Sequence, residues 1–484
     1  MPQADNRTTH NPTGLRDAIV LFALVVIGAS LCNLSQTGLN AMISPVMDEL
    51  GIDVDTGQWL TSAYILVLGV AVPVAAHLQR RVSDRAFAII ALAMFGAGSL
   101  VDVFAPNFLI MLLGRVMQAV SGGLLIPQLQ TIAMTRFPEN RRATATGIGG
   151  IGLGLAPNVG PAVGGAMEAA FGWRSFFVLM AALAGVLIVL TLLFAKNVNA
   201  GNESARFEML SFIYSTLGFG GVLLGLSQAS SVGLASPLVW GPLFVGAVFL
   251  ILFVRRQRTV DQPLIHLEIF DSKIFRVGLI SMCVLFASYL GPTLVIPLYV
   301  VDLMGGTPLD AGLVAFPSTF TAIAVNPIAG MLADKYGVRK VVLVTGAFLV
   351  IGSVGCVFID ETTSLVQLTV FQTIRAASVS GLIGPILTYA LSGLKPRIVP
   401  DGSASVALLR QAAGSFGTAV SVFLVTAFLP VAAATEAAGK SLASTGSLAS
   451  AGLFVGPALP YQASLAFSAI RAVGLFAFMA ARLK

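Results

Sequence analysis

Long apolar runs alternate with short polar connections along nearly the whole chain. A membrane-spanning helix needs about 20 mostly apolar residues, and fourteen such segments can be recognised. They begin near residues 18, 58, 86, 107, 143, 174, 209, 234, 275, 308, 338, 363, 402 and 462. The connections between them are too short to form a soluble domain. The pattern therefore predicts an all-α membrane protein with fourteen transmembrane helices.

Composition supports a membrane location and argues against several other classes. Hydrophobic residues make up 56% of the chain and charged residues 10%, whereas soluble domains have about 25% charged residues. The three cysteines are scattered through apolar segments with no metal-binding or redox spacing. No phosphate-binding loop of the Walker type is present in the sequence. We therefore expect no metal, no cofactor and no catalytic residues, and the protein is not expected to be an enzyme.

The basic residues concentrate in alternate connections. If the N-terminus is cytoplasmic, 22 of the 28 Lys and Arg residues fall in cytoplasmic segments, two fall outside and four lie within spans. This asymmetry predicts a multi-pass protein of the cell (inner) membrane with both termini in the cytoplasm. It also accounts for the net charge of +6, so no nucleic-acid partner is expected.

Two pairs of similar stretches indicate an internal repeat. RVMQAVSGGLLIP begins at Arg115 and RAASVSGLIGP at Arg375, while AHLQRRVSDR (76–85) aligns with GMLADKYGVRK (330–340). Separations of 254 to 260 residues predict two parallel six-helix halves around a central cavity. The spans over about 209–255 have no counterpart. The expected organisation is a disordered cytoplasmic tail (1–16), an N-terminal six-helix bundle (17–200), a two-helix linker insert (201–262) and a C-terminal six-helix bundle (263–484).

Three motifs resemble those of one transporter family. GMLADKYGVRK resembles the signature cytoplasmic loop of the major facilitator superfamily, and LLGRVMQAVSGG, around Arg115, resembles its fourth-helix motif. GIGGIGLGLAPNVGPAVGGAM (147–167) is similar to its fifth-helix antiporter motif. From about residue 20 to 480 the chain resembles the fourteen-span drug:proton antiporters, most closely the lincomycin-resistance-like branch. The resemblance implies the major facilitator fold and a secondary active multidrug or antibiotic exporter that works by proton-coupled antiport and alternating access.

The resemblance also implies a site for substrate and proton coupling. An arginine within a span is costly and usually functional, which singles out Arg115. Many relatives have an aspartate on span 1 where this chain has Gln36, an amide that can bond Arg115 but cannot exchange a proton. The predicted coupling residues are Gln36, Asn40, Arg115, Gln118 and Asp310.

The proton-binding group is less clearly marked. Three carboxylates on the predicted outer side lie near a membrane boundary, and Asp310 is preferred over Asp102 and Glu168. Because Gln36 cannot take up a proton, a carrier of the same fold for a single metabolite or lipid, not coupled to protons, remains the alternative function.

The antiporter motif is matched by Gly147, Gly160, Pro161, Gly164 and Gly165, while Ala156 stands where that motif usually has Gly. Small residues at every fourth position let helix backbones approach closely. Span 5 is therefore expected to pack against a helix of the other half beneath the outward gate. Helix packing without any part in switching is the alternative interpretation.

The second-half loop is predicted to form a cytoplasmic gate from Gly330, Asp334, Gly337, Arg339 and Lys340. Asp334 is expected to cap the helix that follows, with the two basic residues binding it or a carbonyl across the interface. A charged contact that forms in one conformation and breaks in the other suits a two-state carrier. The first-half copy has Arg80 at the family's Asp position, so its contact should be weaker or rewired.

The expected partners follow from this assignment. They are lipophilic small-molecule drugs, protons and the lipid bilayer. No acidic residue lies at a predicted membrane midplane, so lipophilic monocations, neutral drugs or amphipaths are favoured over multivalent cations. A periplasmic adaptor is compatible with the resemblance, but nothing in the sequence supports one.

Overall fold

The computed structural model describes residues 12–196, 208–233, 236–360, 363–443 and 457–483. In this part of the chain the regular structure is helical throughout. The α-helices in chain order are α1 (Pro12–Gly38), α2 (Ile43–Leu50), α3 (Val54–Arg81), α4 (Asp84–Val103), α5 (Phe108–Arg136), α6 (Arg142–Phe171), α7 (Trp173–Phe194), α8 (Met209–Val232), α9 (Pro237–Gln257), α10 (Lys273–Leu298), α11 (Pro308–Tyr336), α12 (Val338–Gly355), α13 (Leu365–Ser392), α14 (Val399–Ala443) and α15 (Leu459–Arg482). Short 3₁₀ turns and one π turn complete the elements, at Leu39–Ala41, Glu139–Arg141, Leu267–Asp271, Tyr299–Leu303, Cys356–Phe358 and Pro396–Ile398.

The predicted spans correspond to long helices. Among the described residues, 13 helices are long and apolar enough to cross a membrane by length and composition. The remaining predicted span, which starts near residue 143, coincides with α6, a helix of 30 residues. The expectation of an all-α membrane protein is thus confirmed. The helix α1 begins at Pro12, within the predicted tail, whose first 11 residues lie outside the described part of the chain.

Short polar side chains mark where many of these helices start. The first N–H groups of a helix have no partner within it, and a side-chain oxygen at the N-cap position can accept one of their hydrogen bonds. Such caps occur at Asp53, Ser83, Asn107, Ser236, Ser272 and Ser364. These caps fix the residue at which each of these six helices begins.

The helices form two sets with separate cores. Helices α1 and α3–α7 share one apolar core, which we call the first bundle. Helices α10–α15 form the second bundle around two further clusters. The pair α8 and α9 packs together and contacts the bundles through α3 and α14. The predicted boundary at 200/201 falls outside the described residues, and the domain limits remain a prediction.

The two ends of the molecule differ in their connections. We call the end that carries the α3–α4, α5–α6, α11–α12 and α13–α14 connections the basic end, and the other the opposite end.

At the opposite end, Glu49 of α2 accepts hydrogen bonds from Arg174 and from Trp173 Nε1, the latter at 2.6 Å. The hydrogen bond from Arg174 is the main reason that the pKa of the Glu49 carboxyl lies below its usual range, and the bond from Trp173 adds to this effect. The contact fastens the segment after α1 to the start of α7.

Candidate functional site

A buried polar cluster lies inside the first bundle, where α1, α3, α4 and α5 meet. Its centre is Arg115 of α5, whose side chain is completely buried. Arg115 Nη1 donates to the main-chain oxygen and Oγ of Ser35, both at 3.1 Å, and to Gln118 Oε1 at 2.9 Å. Its Nε faces the Leu60 oxygen at 3.4 Å, and its Cζ lies 4.4 Å from the centre of the Tyr64 ring. These contacts offset part of the cost of burying a cation.

The amide of Gln118 connects this arginine to a carboxylate. Gln118 Oε1 also accepts from Ser35 Oγ at 2.8 Å. Its Nε2 donates to Ser99 Oγ and to Asp102 Oδ2, both at 3.0 Å. Gln118, Ser99 and Asp102 are all fully buried. One amide side chain therefore joins the guanidinium on one side to a carboxylate on the other.

The structure brings together only some of the predicted coupling residues. Arg115 and Gln118 are in contact, but the partner of Arg115 on α1 is Ser35, and the expected bond from Gln36 is not made. Neighbouring residues on a helix face different directions, and Gln36, one position further on, is half-buried. Asn40 lies at the end of this segment and accepts a hydrogen bond from Thr61 Oγ1 at 3.2 Å. The coupling roles of Gln36 and Asn40 remain predictions.

The preferred carboxylate, Asp310, lies in the other bundle at the start of α11. Its Oδ2 accepts from the main-chain N–H and the hydroxyl of Thr307, both at 2.8 Å, and Thr307 Oγ1 accepts from the Asp310 N–H. This reciprocal arrangement is a capping box. Glu168 is half-buried near the end of α6. Asp102, the third carboxylate considered from the sequence, is the one inside the Arg115 cluster.

The second bundle contains a related arginine, and among the described residues no carboxylate bonds this arginine or its glutamine. Arg375 of α13 is 1% exposed and donates from Nε and Nη2 to Gln372 Oε1, at 3.1 and 2.9 Å. Its Nη1 faces the Tyr289 oxygen at 3.4 Å. Each bundle therefore buries the arginine of the internal repeat beside a glutamine, which follows Arg115 by three positions but precedes Arg375 by three.

At the basic end, Asp334 of α11 binds the first turn of α6 in the other bundle. Its carboxylate accepts from the N–H groups of Ala143 and Thr144 at 3.1 and 2.8 Å and from Thr144 Oγ1 at 2.6 Å. The prediction that Asp334 caps the helix that follows it was therefore wrong. Unpaired N–H groups and the helix dipole make this position favourable for an anion.

Gly330 lets Asp334 reach α6, and Gly337 ends α11 three residues later. Gly330 lies one turn before Asp334 on the same face of α11, and a Cβ there would lie 2.9 Å from Thr144 Cα. Gly337, with φ +90°, ends α11 and turns the chain into α12. Arg339 and Lys340 follow that turn and are exposed. The predicted gate loop thus splits into a contact surface on α11 and an exposed basic start of α12.

The first-half copy of this loop makes a contact with the charges exchanged. Arg80 of α3 pairs with Asp401, a fully buried residue in the first turn of α14, and donates to the Leu264 oxygen at 3.0 Å. Asp401 Oδ2 also lies 3.1 Å from His266 Nδ1. The first-half contact is therefore an ion pair between the bundles, in which α3 supplies the cation and the facing helix α14 supplies the acid.

Hydroxyl groups add to this interface. Thr131 Oγ1 and Ser403 Oγ lie 2.9 Å apart, and Thr388 Oγ1 lies 3.4 Å from Thr146 Oγ1. Each pair joins a helix of the first bundle to a helix of the second. Together with the contacts of Asp334 and Arg80, they hold the bundles together at the basic end. We refer to this set of contacts as the basic-end interface.

The glycines of α6 divide between two partners. A Cβ at Gly147 would overlap the Asn326 oxygen and lie 3.2 Å from Pro327 Cα, both in the second bundle. A Cβ at Gly164 would lie 2.5 Å from the Gly38 oxygen on α1. Gly160 also approaches α1, while Gly165 lies beside Ala41 and Pro161 is half-buried. Span 5 therefore does pack against a helix of the other half, α11, through its first turns. The later part of the motif, from Gly160 on, packs on α1 of its own bundle.

This division predicts different effects for two valine substitutions. Gly147→Val should separate the bundles at the basic end, whereas Gly164→Val should separate α6 from α1 within one bundle. Overpacking of this kind costs about 1–3 kcal/mol. In protein whose native cysteines are replaced by serine, Gly147→Val should speed maleimide labelling of Ser403→Cys, a position buried at the interface. Gly164→Val should lower the unfolding temperature and leave the labelling rate unchanged. Equal labelling in the two variants would contradict the assignment.

Long apolar helices in two bundles, joined at one end and enclosing buried arginines, are the arrangement found in many secondary transporters. In the described residues, no group of three His, Cys, Asp or Glu side chains is placed to hold a metal ion. The family model for the Major Facilitator Superfamily matches residues 25–418. The chain belongs to this superfamily and is a multi-pass membrane transporter.

Relatives and solved structures agree with this family. The chain is 31% identical to the uncharacterized MFS-type transporter YcnB of Bacillus subtilis, over 84% of this chain and 86% of that protein. It is 34% identical to the lincomycin resistance protein LmrB of the same organism, over 81% of this chain and 82% of that protein. The human organic anion transporter MFSD10 has a similar fold, with a TM-score of 0.63 at 14% identity over 97% of this chain and 100% of that one.

Proposed function

We propose that this protein is a secondary active exporter of lipophilic drugs, including antibiotics, that exchanges drug for protons by alternating access. The observation that carries the proposal is the basic-end interface. It consists of hydrogen bonds and ion pairs between two bundles that have separate cores, so the contacts can break without disrupting either core. The similarity to a lincomycin resistance protein supports a drug as the substrate.

In this scheme the basic end faces the cytoplasm of the cell (inner) membrane. The excess of Lys and Arg in the connections at that end supports this orientation. The structure then corresponds to a state closed to the cytoplasm, in which Asp334 and Arg80 bind their partners. Breaking these contacts would open the drug path to the cytoplasm. Reforming them would close it before the drug is released outside.

The Arg115 cluster and the basic-end interface have different roles in this proposal. The Arg115 cluster spans α1, α3, α4 and α5, so a change in its hydrogen bonds would alter how these helices pack. Gln118 belongs to this cluster, and Gln36 and Asn40, four positions apart near the end of α1, would provide polar groups for the drug. Gly147, Gly330 and Asp334 would form the cytoplasmic gate, with Gly337, Arg339 and Lys340 completing its connection. Gly160, Pro161, Gly164 and Gly165 would hold α6 on α1 during the movement.

The proposal is tested by drug accumulation in a bacterium that lacks its own pumps. Cells that express the chain should accumulate less ethidium and less lincomycin than cells that express no pump. A protonophore should remove the difference, and Asp334→Ala should reduce it. Reduced accumulation that survives the protonophore would contradict proton exchange. Unchanged accumulation of a broad drug panel, with the protein verified in the membrane, would contradict drug export.

The second candidate is a carrier of the same fold for one metabolite or lipid, not coupled to protons. The observation that favours it is the amide at Gln36, which cannot bind and release a proton. This candidate predicts that no drug in the panel changes its accumulation. It also predicts that the purified protein moves its substrate at a rate independent of a pH gradient.

A further inference from the structure

We propose that Asp102 binds and releases the coupling proton, and that Gln118 transmits its protonation state to Arg115. This inference rests on the proposed exchange of drug for protons and identifies the residue that performs it. It replaces Asp310 in this role, because the Asp310 carboxylate is engaged in the capping box at the start of α11.

Asp102 is enclosed without a direct cationic partner. It is fully buried, and its one hydrogen bond through Oδ2 comes from the neutral amide of Gln118. Its Oδ1 is buried and has no hydrogen-bond partner in the described part of the chain. An ionised carboxylate is costly in such surroundings unless it is paired. The site can therefore favour a bound proton in one conformation and give it up when a rearrangement improves its solvation.

Two glycines create this enclosed position. A Cβ at Gly114 would overlap the Asp102 carboxylate, and a Cβ at Gly98 would lie 2.7 Å from the Gly114 oxygen. Because Gly98 and Gly114 have no side chains, α4 and α5 can approach each other closely at the depth of Asp102. The carboxylate is thus held between two helix backbones and does not extend into a loop.

Few charged or titratable groups face this carboxylate. Arg115 faces it from α5 and Tyr64 from α3, with Cys32 of α1 beyond the tyrosine. From α7, Arg174 binds the oxygens of Val103 and Ala105 just after Asp102 and also pairs with Glu49. A proton on Asp102 can therefore influence the hydrogen bonds of one cation through the buried cluster, and that cation is Arg115.

Gln118 can transmit protonation because its amide has one donor side and one acceptor side. When Asp102 is ionised, Nε2 donates to it while Oε1 accepts from Arg115 and Ser35. A protonated Asp102 can donate instead, and it would bond Oε1 after the amide turns over. Nε2 would then face Arg115, which would lose Gln118 Oε1 as one of its acceptors. The bonds that tie α5 to Ser35 on α1 would weaken as a result.

The internal repeat provides a natural comparison. The separation of 254 residues that relates Leu78 to Leu332 also relates Asp102 to Cys356. Cys356 is buried at the end of α12, and Arg375 is the charge that acts on it. The second bundle therefore has the arginine, but it has Ser378 at the position equivalent to Gln118 and a thiol where the first bundle has a carboxylate. Within the described residues, a carboxylate joined through an amide to the buried arginine is therefore found in the first bundle and not at the equivalent position of the second.

The test measures proton release when the purified protein binds ethidium in weakly buffered detergent solution with a pH indicator. Wild type should release about one proton for each ethidium bound, because the two ligands oppose each other reciprocally. Its ethidium Kd should rise as the pH falls, by at most about tenfold per pH unit. Asp102→Asn keeps the size and a hydrogen-bonding group. It should bind ethidium with a pH-independent Kd and release less than about a tenth of the wild-type protons.

The matched controls are Cys356→Ser and Asp310→Asn, both of which should release protons as wild type does. Release by Asp102→Asn at the wild-type level, or loss of release in Asp310→Asn alone, would overturn the proposal. If Asp102→Asn does not fold, Asp102→Glu should still release protons but with a shifted pH midpoint, and an unshifted midpoint would overturn the proposal. A wild type that binds ethidium and releases no proton would instead contradict the proposed proton exchange itself.

Discussion

Replacing Arg115 by lysine should reduce ethidium efflux about 100-fold, corresponding to about 3 kcal/mol. Lysine retains the charge, but its single ammonium group cannot bond Ser35, Gln118 and the Leu60 oxygen in the planar pattern of a guanidinium. Its buried partners would be left without their donor. The measurement is the initial rate of ethidium efflux from preloaded cells, normalised to the amount of transporter in the membrane.

The control for this substitution is Arg276→Lys, at the start of α10. Arg276 is exposed, so its replacement should leave efflux within about twofold of wild type. A matching loss in both variants would point to a general effect of arginine replacement on expression. Wild-type efflux by Arg115→Lys would show that the geometry of the buried cluster is not required.

Replacing Asp334 by alanine should shift the protein toward the conformation that is open at the basic end. The carboxylate accepts two N–H groups and one hydroxyl from α6, and a hydrogen bond to a charged group contributes about 1.5–3 kcal/mol. Because these bonds join the two bundles, their loss should raise the open-to-closed ratio about tenfold or more. Efflux should fall because the gate no longer closes fully.

The shift can be measured as a distance between spin labels at the basic end. Glu139→Cys in the first bundle and Lys395→Cys in the second place labels at exposed positions, in protein whose native cysteines are replaced. Asp334→Ala should increase the population with a long distance. Lys335→Gln, one residue further along α11 and exposed, is the matched control and should leave the populations unchanged. Identical distance distributions in wild type and Asp334→Ala would contradict the gate assignment.

The transmembrane helices could be predicted from the sequence because a sufficiently long run of apolar residues is enough to identify each one. Each predicted span contains enough consecutive apolar residues to cross a bilayer, and no tertiary contact is needed to recognise it. The same holds for the internal repeat, since the paired stretches at Arg115 and Arg375 can be read from the letters. The resulting superfamily assignment is confirmed by the match over residues 25–418.

The partners of the functional side chains could not be predicted in this way. Whether Ser35 or Gln36 meets Arg115 depends on how α1 is rotated about its axis, which similar polarity at both positions leaves undetermined. Asp334 and Thr144 lie 190 residues apart in the sequence, so local patterns favoured the nearer helix α12 as the partner. Asp102 was recognised only as a carboxylate near a boundary, because its burial depends on the close packing of α4 on α5.

One departure from the family pattern did indicate a structural difference. Arg80 at the position of the family's aspartate predicted that the first-half contact would be weaker or rewired. The structure shows a rewired contact, in which Asp401 supplies the acid from the first turn of α14. The sequence indicated the exchange of charge but could not locate the partner, because Asp401 belongs to the other bundle.

The most direct test of proton-coupled drug export uses the purified protein in liposomes, with no other pump present. Protein inserted with its basic end outward should take up ethidium into liposomes whose interior is more acidic than the outside, and collapse of the pH gradient should stop the accumulation. The account predicts uptake against the ethidium gradient by wild type and none by empty liposomes. Uptake that only equilibrates ethidium, at the same rate with and without the pH gradient, would contradict it.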